Sequence, residues 1–260
     1  MLKIFLAELI GTFILIVLGD GVVANVVLNR TKGQGGGGGG AWILIAAGWG
    51  MAVFVAVFCV AEYSGAHINP AVTIAIAMAQ KSKITWQHVP VYIAAQMLGA
   101  FLGGITVYLF YNRHFAVTED ADAKLAVFCT APNIRSNITS FFCETVATFL
   151  LVFPIFLMVD PRLSLPLGTG TQSVALGLGA LGALPVGLLV FAIGMSLGGT
   201  TGYAINPARD LGPRLAHAIL PIPGKRDSDW SYAWIPVVAP IFGGAIAAMA
   251  SRILARWLTS

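Results

Sequence analysis

The tripeptide Asn-Pro-Ala occurs twice, as Asn69-Pro70-Ala71 and Asn206-Pro207-Ala208, and each copy reads as a helix start. Asparagine is a favoured N-cap because its side-chain oxygen accepts an otherwise unpaired backbone N–H. Proline suits the first helical position, where no N–H is needed and φ is already set. The helical patterns that follow run only to about Ala79 and Ala218, short of the roughly 20 residues that cross a bilayer. Long apolar windows elsewhere predict six spans: Ile4–Leu28, Ala41–Ala61, Val89–Tyr111, Thr139–Val159, Ser173–Met195 and Ala233–Leu258. Hydrophobic residues make up 57% of the chain and charged ones 10%, against about 25% charged in soluble domains. Such a chain cannot cover a water-facing surface. It is expected to be an all-α integral membrane protein with six transmembrane helices and two re-entrant half-helices.

The second half repeats the first. Ala7-Glu8-Leu9-Ile10-Gly11-Thr12-Phe13 parallels Cys143-Glu144-Thr145-Val146-Ala147-Thr148-Phe149. Glu8 lies 61 positions before Asn69, and Glu144 lies 62 before Asn206. Each half holds three spans, with a half-helix after its second. An odd number of spans per half gives the halves opposite orientation, the inverted repeat of many transport folds, whose sites lie near the midplane where broken helices meet. The expectation is one channel domain over residues 1–260, with repeats at roughly 1–112 and 138–260 joined by a long polar loop at 113–137. Residue 4 onward is read as a permanent span rather than a cleaved leader, because Glu8 interrupts the apolar run early. Six glycines from Gly35 to Gly40 are expected to form a flexible linker.

The charged residues narrow the chemistry. A net charge of +4 without a basic run argues against nucleic acid. Cys59, Cys129 and Cys143 are odd in number and lack metal spacing, and no nucleophile–base pair appears. Neither a cofactor nor an enzymatic activity is expected. Glu8 and Glu144 are buried carboxylates, read as scaffolds that accept backbone N–H groups of a re-entrant loop; a proton relay is the alternative. Arg209 lies three positions after Asn206 on the same helical face, and a charge at membrane depth is by default functional; a structural partnership with Asp210 or loop carbonyls is the alternative. Asp210 suits a helix N-terminus and has Arg214 at pairing distance. His67 either lines a vestibule or fixes its loop. His88, His114 and His217 have no partner pattern, and Asp20, late in the first span, has no assigned role. The small pairs Gly99/Gly103 and Gly243/Ala247 are read as close helix contacts.

The duplicated Asn-Pro-Ala boxes, the paired Glu-x-x-x-Thr-Phe segments and the six-span inverted repeat resemble the aquaporins, the major intrinsic protein family, over nearly the whole chain. The resemblance implies half-helices meeting end to end, a pore in each subunit, a homotetramer, and both termini in the cytosol of a cell membrane. The Lys/Arg distribution does not favour that orientation, since seven basic loop residues then lie outside: Arg30, Lys32, Arg113, Lys124, Arg135, Lys225 and Arg226. Two helix N-termini meeting at the membrane centre place two positive dipole ends there, each about half a unit charge, which repel cations and leave neutral solutes less affected. The amide N–H groups of Asn69 and Asn206 are expected to point at the permeant.

The same resemblance puts the narrowest point at four residues: Trp49, Gly194, Tyr203 and Arg209. Gly194 stands where water-specific members carry histidine, so the constriction is expected to be wider. Trp49 and Tyr203 form an apolar corner for a carbon backbone, and Arg209 faces it with donors for hydroxyls. Asn-Pro-Ala-Arg-Asp-x-Gly-Pro-Arg resembles the glycerol-channel form of the second box. The expected function is passive passage of glycerol, related uncharged polyols and water. A strictly water-selective channel and a coupled secondary transporter are the rival readings.

Overall fold

The computed structural model describes residues 1–34, 40–80, 84–159, 161–167 and 170–259. Most of the expected glycine linker, residues 35–39, lies outside them. The long helices are α1 (Leu2–Val27), α2 (Gly40–Ser64), α4 (Val89–Val117), α6 (Asn137–Leu157), α7 (Leu184–Leu197) and α9 (Ile235–Thr259). The short ones are α3 (Pro70–Ala79), α5 (Ala121–Ala126) and α8 (Pro207–Ile219). Among the described residues, six helical stretches are long and apolar enough to cross a membrane. Apolar segments of this length have no alternative in lipid, because only a helix pairs all its backbone groups internally. The chain is a multi-pass membrane protein.

Five of the six spans fall within a few residues of the predicted windows. The fifth does not. In place of a helix from Ser173, the chain forms an antiparallel hairpin of β1 (Arg162–Leu167) and β2 (Gly170–Ala175), with Arg162 opposite Ala175 and Leu167 opposite Gly170. A 3-10 turn at Gly179–Ala183 follows, and α7 begins only at Leu184. Residues 173–183 are apolar enough to satisfy a hydropathy window, but Gly177, Gly179 and Gly182 oppose helix propagation, and Gly179 sits at φ 56°. Pro185 in the first turn then suits a late start. The predicted loop at 113–137 is also partly helical: α4 runs on to Val117, and α5 is capped by Asp120, which accepts from the N–H groups of Asp122 and Ala123.

The packing follows the repeat. α1 lies on α4 as α6 lies on α9, and α2 meets α7 between the halves. Each half-helix packs mainly on the other half: α3 on α9 and α8 on α4. The two halves are therefore interlocked and share one interior. Small residues set the closest approaches. A Cβ on Gly99 would stand 2.4 Å from the Leu9 carbonyl oxygen, and one on Gly243 would stand 2.3 Å from that of Thr145. These glycines let α4 and α9 reach backbone contact with α1 and α6, as expected for helices associating in lipid.

Candidate functional site

The site is built from two loops with the same backbone. Gly65, Ala66 and Ile68 have φ of 85°, 50° and 42°; Gly202, Tyr203 and Ile205 have 82°, 39° and 45°. Left-handed geometry at a β-branched isoleucine is strained, and such residues cost of order 1–3 kcal/mol each. The buried carboxylates hold them there. Glu8 accepts from Ser64 Oγ (2.6 Å), His67 N (2.9 Å), Ile68 N (2.7 Å) and Gln96 Nε2 (2.8 Å). Glu144 accepts from Thr201 Oγ1 (2.6 Å), Ala204 N (2.9 Å) and Ile205 N (2.9 Å). Both glutamates are fully buried, and every one of these bonds is charge-assisted, roughly twice the strength of a neutral one.

Each loop ends in its cap. Asn69 Oδ1 accepts from Ala71 N at 2.9 Å, and Asn206 Oδ1 accepts from Ala208 N at 3.0 Å, with Pro70 and Pro207 opening the helices. The asparagine amides do more than expected. Asn69 Nδ2 donates to the Ile205 carbonyl and Asn206 Nδ2 to the Ile68 carbonyl, both at 2.8 Å. One N–H of each amide thus ties the opposite loop, and only the second is left for a permeant. The half-helices meet by their N-termini through this reciprocal pair.

Two cavities open on the site. The inner one, about 150 Å³, is lined by His67, Asn69 and Asn206 together with apolar side chains such as Val53, Val72 and Val190. The outer one is lined by Trp42, Thr130, Asn133 and Thr200, among others. Three residues line both: Trp49, Tyr203 and Arg209. They form the junction, at three of the four positions picked out from the sequence. Arg209 does not simply face the aromatic corner; its guanidinium carbon lies 4.0 Å from the centroid of the Trp49 ring, in cation–π contact. Tyr203 is buried, and among the described residues its hydroxyl has no hydrogen-bond partner.

Gly194 lines neither cavity. A Cβ there would stand 2.8 Å from Tyr203 Cζ and Oη. The room left by the missing side chain is filled by the Tyr203 ring, so Gly194 sets the ring's position in place of opening the passage directly. Trp42 closes the far side: its ring meets Tyr203 edge-on at 5.9 Å, and its indole N–H donates to the Gly194 carbonyl at 2.9 Å.

Asp210 and Arg214 anchor the loops around the junction. Arg214 is fully buried and binds Asp210 through Nε (2.8 Å) and Nη2 (3.1 Å). It also donates to the carbonyls of Thr130, Ser228 and Asp229. Asp210 Oδ2 accepts from both Thr130 N and Thr130 Oγ1 at 2.8 Å. Asp210 is therefore committed to Arg214 and Thr130, and Arg209 finds other partners: the Phe128 carbonyl at 3.5 Å and Asp20 Oδ1 at 3.5 Å. The Asp20 contact had no sequence signal beyond a lone charge in an apolar span. His67 does both things left open for it: it lines the inner cavity, and it is fixed by Thr73 Oγ1 (3.1 Å) and by stacking on Tyr92 at 4.4 Å. The histidines without a pattern find local partners, His88 with Thr85, His114 with the Asn29 carbonyl and His217 with Ser228.

The profile of a family described as Major intrinsic protein matches residues 1–251. A "Probable glycerol uptake facilitator protein" of Thermotoga maritima is 52% identical over 257 residues, 99% of this chain and 100% of its own length. The "Glycerol uptake facilitator protein" of Bacillus subtilis is 49% identical over 93% of this chain and 81% of its own. Among solved structures, the aquaglyceroporin from Plasmodium falciparum superposes with a TM-score of 0.81 at 31% identity, over 99% of this chain and 98% of that one. With its paired half-helices, its cross-tied asparagines and a profile match over residues 1–251, this chain belongs to the major intrinsic protein family.

Proposed function

We propose that the protein is a passive channel for glycerol and related small uncharged polyols, also passing water, and that it excludes ions and protons. The observation that carries this reading is the junction of Trp49, Tyr203 and Arg209 between the two cavities. A polyol has a carbon edge and a hydroxyl edge. The rings accept the first, and the guanidinium, which carries donors and no acceptor, binds the second. The two opposed half-helix N-termini keep the midplane electropositive, a barrier to cations and protons. Asn69 and Asn206 each keep one N–H for a hydroxyl or a water at the midplane. Glu8, Glu144 and Asp210 shape the loops and take no part in transport, and His67 holds its loop while lining the inner cavity. That speaks against ion-coupled transport, which would use such carboxylates as coordinating groups: both glutamates are saturated by loop donors. The names of the Thermotoga maritima and Bacillus subtilis relatives support glycerol as the solute.

The same reading makes residues 1–112 and 138–260 inverted repeats of one channel domain joined at 113–137, in a homotetramer in the cell membrane with both termini cytoplasmic. It includes no cofactor and no catalysis. The test is stopped-flow light scattering on proteoliposomes in a glycerol gradient. Rapid shrinkage followed by protein-dependent reswelling is expected. Rapid shrinkage without reswelling beyond that of empty vesicles would make this a water channel and overturn the polyol reading.

A further inference from the structure

Arg209 is backed by a carboxylate that the proposed channel mechanism does not use. Asp20 sits in α1, is fully buried, and lines neither cavity. Its Oδ1 lies 3.5 Å from Arg209 Nη1. Among the described residues, neither Asp20 oxygen has a hydrogen-bond donor. A fully buried carboxylate without hydrogen bonds is costly unless a charge compensates it. Arg209 is the compensating charge, because the neighbouring pair Asp210 and Arg214 is already self-neutralised through two hydrogen bonds. Of the acidic groups near the junction, Asp210 is spent on Arg214 and Thr130 and Glu144 on the Tyr203 loop, so Asp20 is the carboxylate left to face Arg209.

We propose that Asp20 is a specificity-determining residue: it cancels the charge of Arg209 from behind, so that the junction binds uncharged hydroxyl compounds and does not capture small carboxylate anions. Arg209 is the one junction residue with a formal charge, and a guanidinium is the side chain best matched to a carboxylate. Two half-helix N-termini point toward the same space, adding positive potential. Without Asp20 the junction carries an uncancelled cation facing two open cavities, which is an anion site. Asp20 reaches this outcome without touching the solute, since it lies outside both cavities.

The inference rests on the channel reading above, and the experiment separates the two. Glycerol flux is measured in proteoliposomes of the wild type and of Asp20→Asn, in sodium formate and in sodium gluconate at equal ionic strength, so that general screening is matched. Formate presents a bare one-carbon carboxylate, whereas gluconate must bring a six-carbon chain with its carboxylate and is the bulkier, weaker competitor for the junction. Wild-type flux is expected to be the same in both salts. In Asp20→Asn, formate is expected to inhibit flux by about tenfold relative to gluconate, because the guanidinium then attracts the anion without a carboxylate behind it. Equal flux of Asp20→Asn in the two salts overturns the proposal while leaving the channel reading intact. Absence of wild-type flux in gluconate sinks the channel reading instead. Should Asp20→Asn not fold, the double variant Asp20→Asn/Arg209→Gln decides. Removing one member of a buried pair leaves an uncompensated charge, whereas removing both is tolerated. The double variant is then expected to be recovered folded, with a cooperative melt in detergent where the single variant has none; a double variant that also fails to fold overturns the pairing.

Discussion

Substituting Gly194 by alanine tests whether the position of the Tyr203 ring governs solute size. The new methyl would lie 2.8 Å from Tyr203 Cζ and Oη and 3.1 Å from Ala46 Cβ. Ordinary carbon contacts lie at about 3.5–4.0 Å, so the ring has to retreat by about 0.7–1.2 Å. Its directions of escape are few. The ring already lies against Gly198, where a Cβ would be 2.6 Å from Tyr203 Cδ1 and 2.5 Å from Trp42 Cζ2. Trp42 is locked by its bond to the Gly194 carbonyl. The open side is the junction itself, opposite Trp49 and Arg209. Overpacking of this kind costs about 1–3 kcal/mol. Transferred to the barrier for a solute that must displace the ring again, that is about a 5- to 150-fold loss of rate, at tenfold per 1.36 kcal/mol. Glycerol permeability of Gly194→Ala is therefore expected to fall by at least the lower figure. Water permeability falls by a smaller factor, because water passes without pushing the ring aside. Stopped-flow scattering, with vesicle protein quantified and the variant monodisperse in detergent, reads both rates. Unchanged glycerol flux, or equal losses for glycerol and water, would refute the argument that Gly194 acts through Tyr203.

Glu144→Ala strands the buried N–H groups of Ala204 and Ile205, at about 1–3 kcal/mol each; a lower melting temperature in detergent is expected, with Glu144→Gln in between because it keeps one acceptor, and equal melting of all three would show that the loop holds itself. Gly243→Ala places a methyl 2.3 Å from the Thr145 carbonyl oxygen and is expected to destabilise by about 1–3 kcal/mol, whereas Gly21→Ala, with nothing within 4 Å of its new Cβ, is expected to be neutral or stabilising; thermal melts of the two variants check the contrast. Burial pushes the Cys129 thiol well above its ordinary value, which removes the reactive thiolate, so iodoacetamide at mildly alkaline pH is expected to label Cys129 only after unfolding, as read by mass spectrometry of the native and denatured protein.

What could be read from the chain was local or duplicated. The caps at Asn69 and Asn206 join residues two or three apart, so their chemistry is complete within the tripeptide and its neighbours. Glu8 and Glu144 reach loops far along the chain, yet the matched spacing in the two halves exposed them. The start of α7 was hidden because hydropathy sums side chains and ignores that glycine weakens a helix. The Asp20–Arg209 pair was hidden for a different reason: it joins α1 to α8 across the two halves, and a single aspartate in a span carries no indication of which distant cation neutralises it. The contact of Gly194 with Tyr203 was hidden on similar grounds, since the space a glycine leaves is defined only by the side chain that enters it.

The duplication also explains why the junction lies on one side of the crossing point. The two asparagines are 137 positions apart, and moving each junction position by that offset leads to its counterpart in the other half. Trp49 maps to Val186, Gly194 to Val57, Tyr203 to Ala66 and Arg209 to Val72. All four counterparts line the inner cavity. Ala66 and Tyr203 share the same left-handed backbone, held by equivalent carboxylates, so the fold treats the two positions alike and the side chains alone differ. Ring, guanidinium and glycine on one side become two valines, an alanine and a third valine on the other. The repeat supplies a scaffold with two equivalent places for such a junction, and the aromatic and cationic side chains stand only where the repeat is broken. On the channel reading proposed above, a mostly apolar inner half gives a polyol few hydrogen bonds to exchange, so resistance is expected to concentrate at Trp49, Tyr203 and Arg209, and substitutions at Val57 or Val186 are expected to act on flux only when they add bulk or charge.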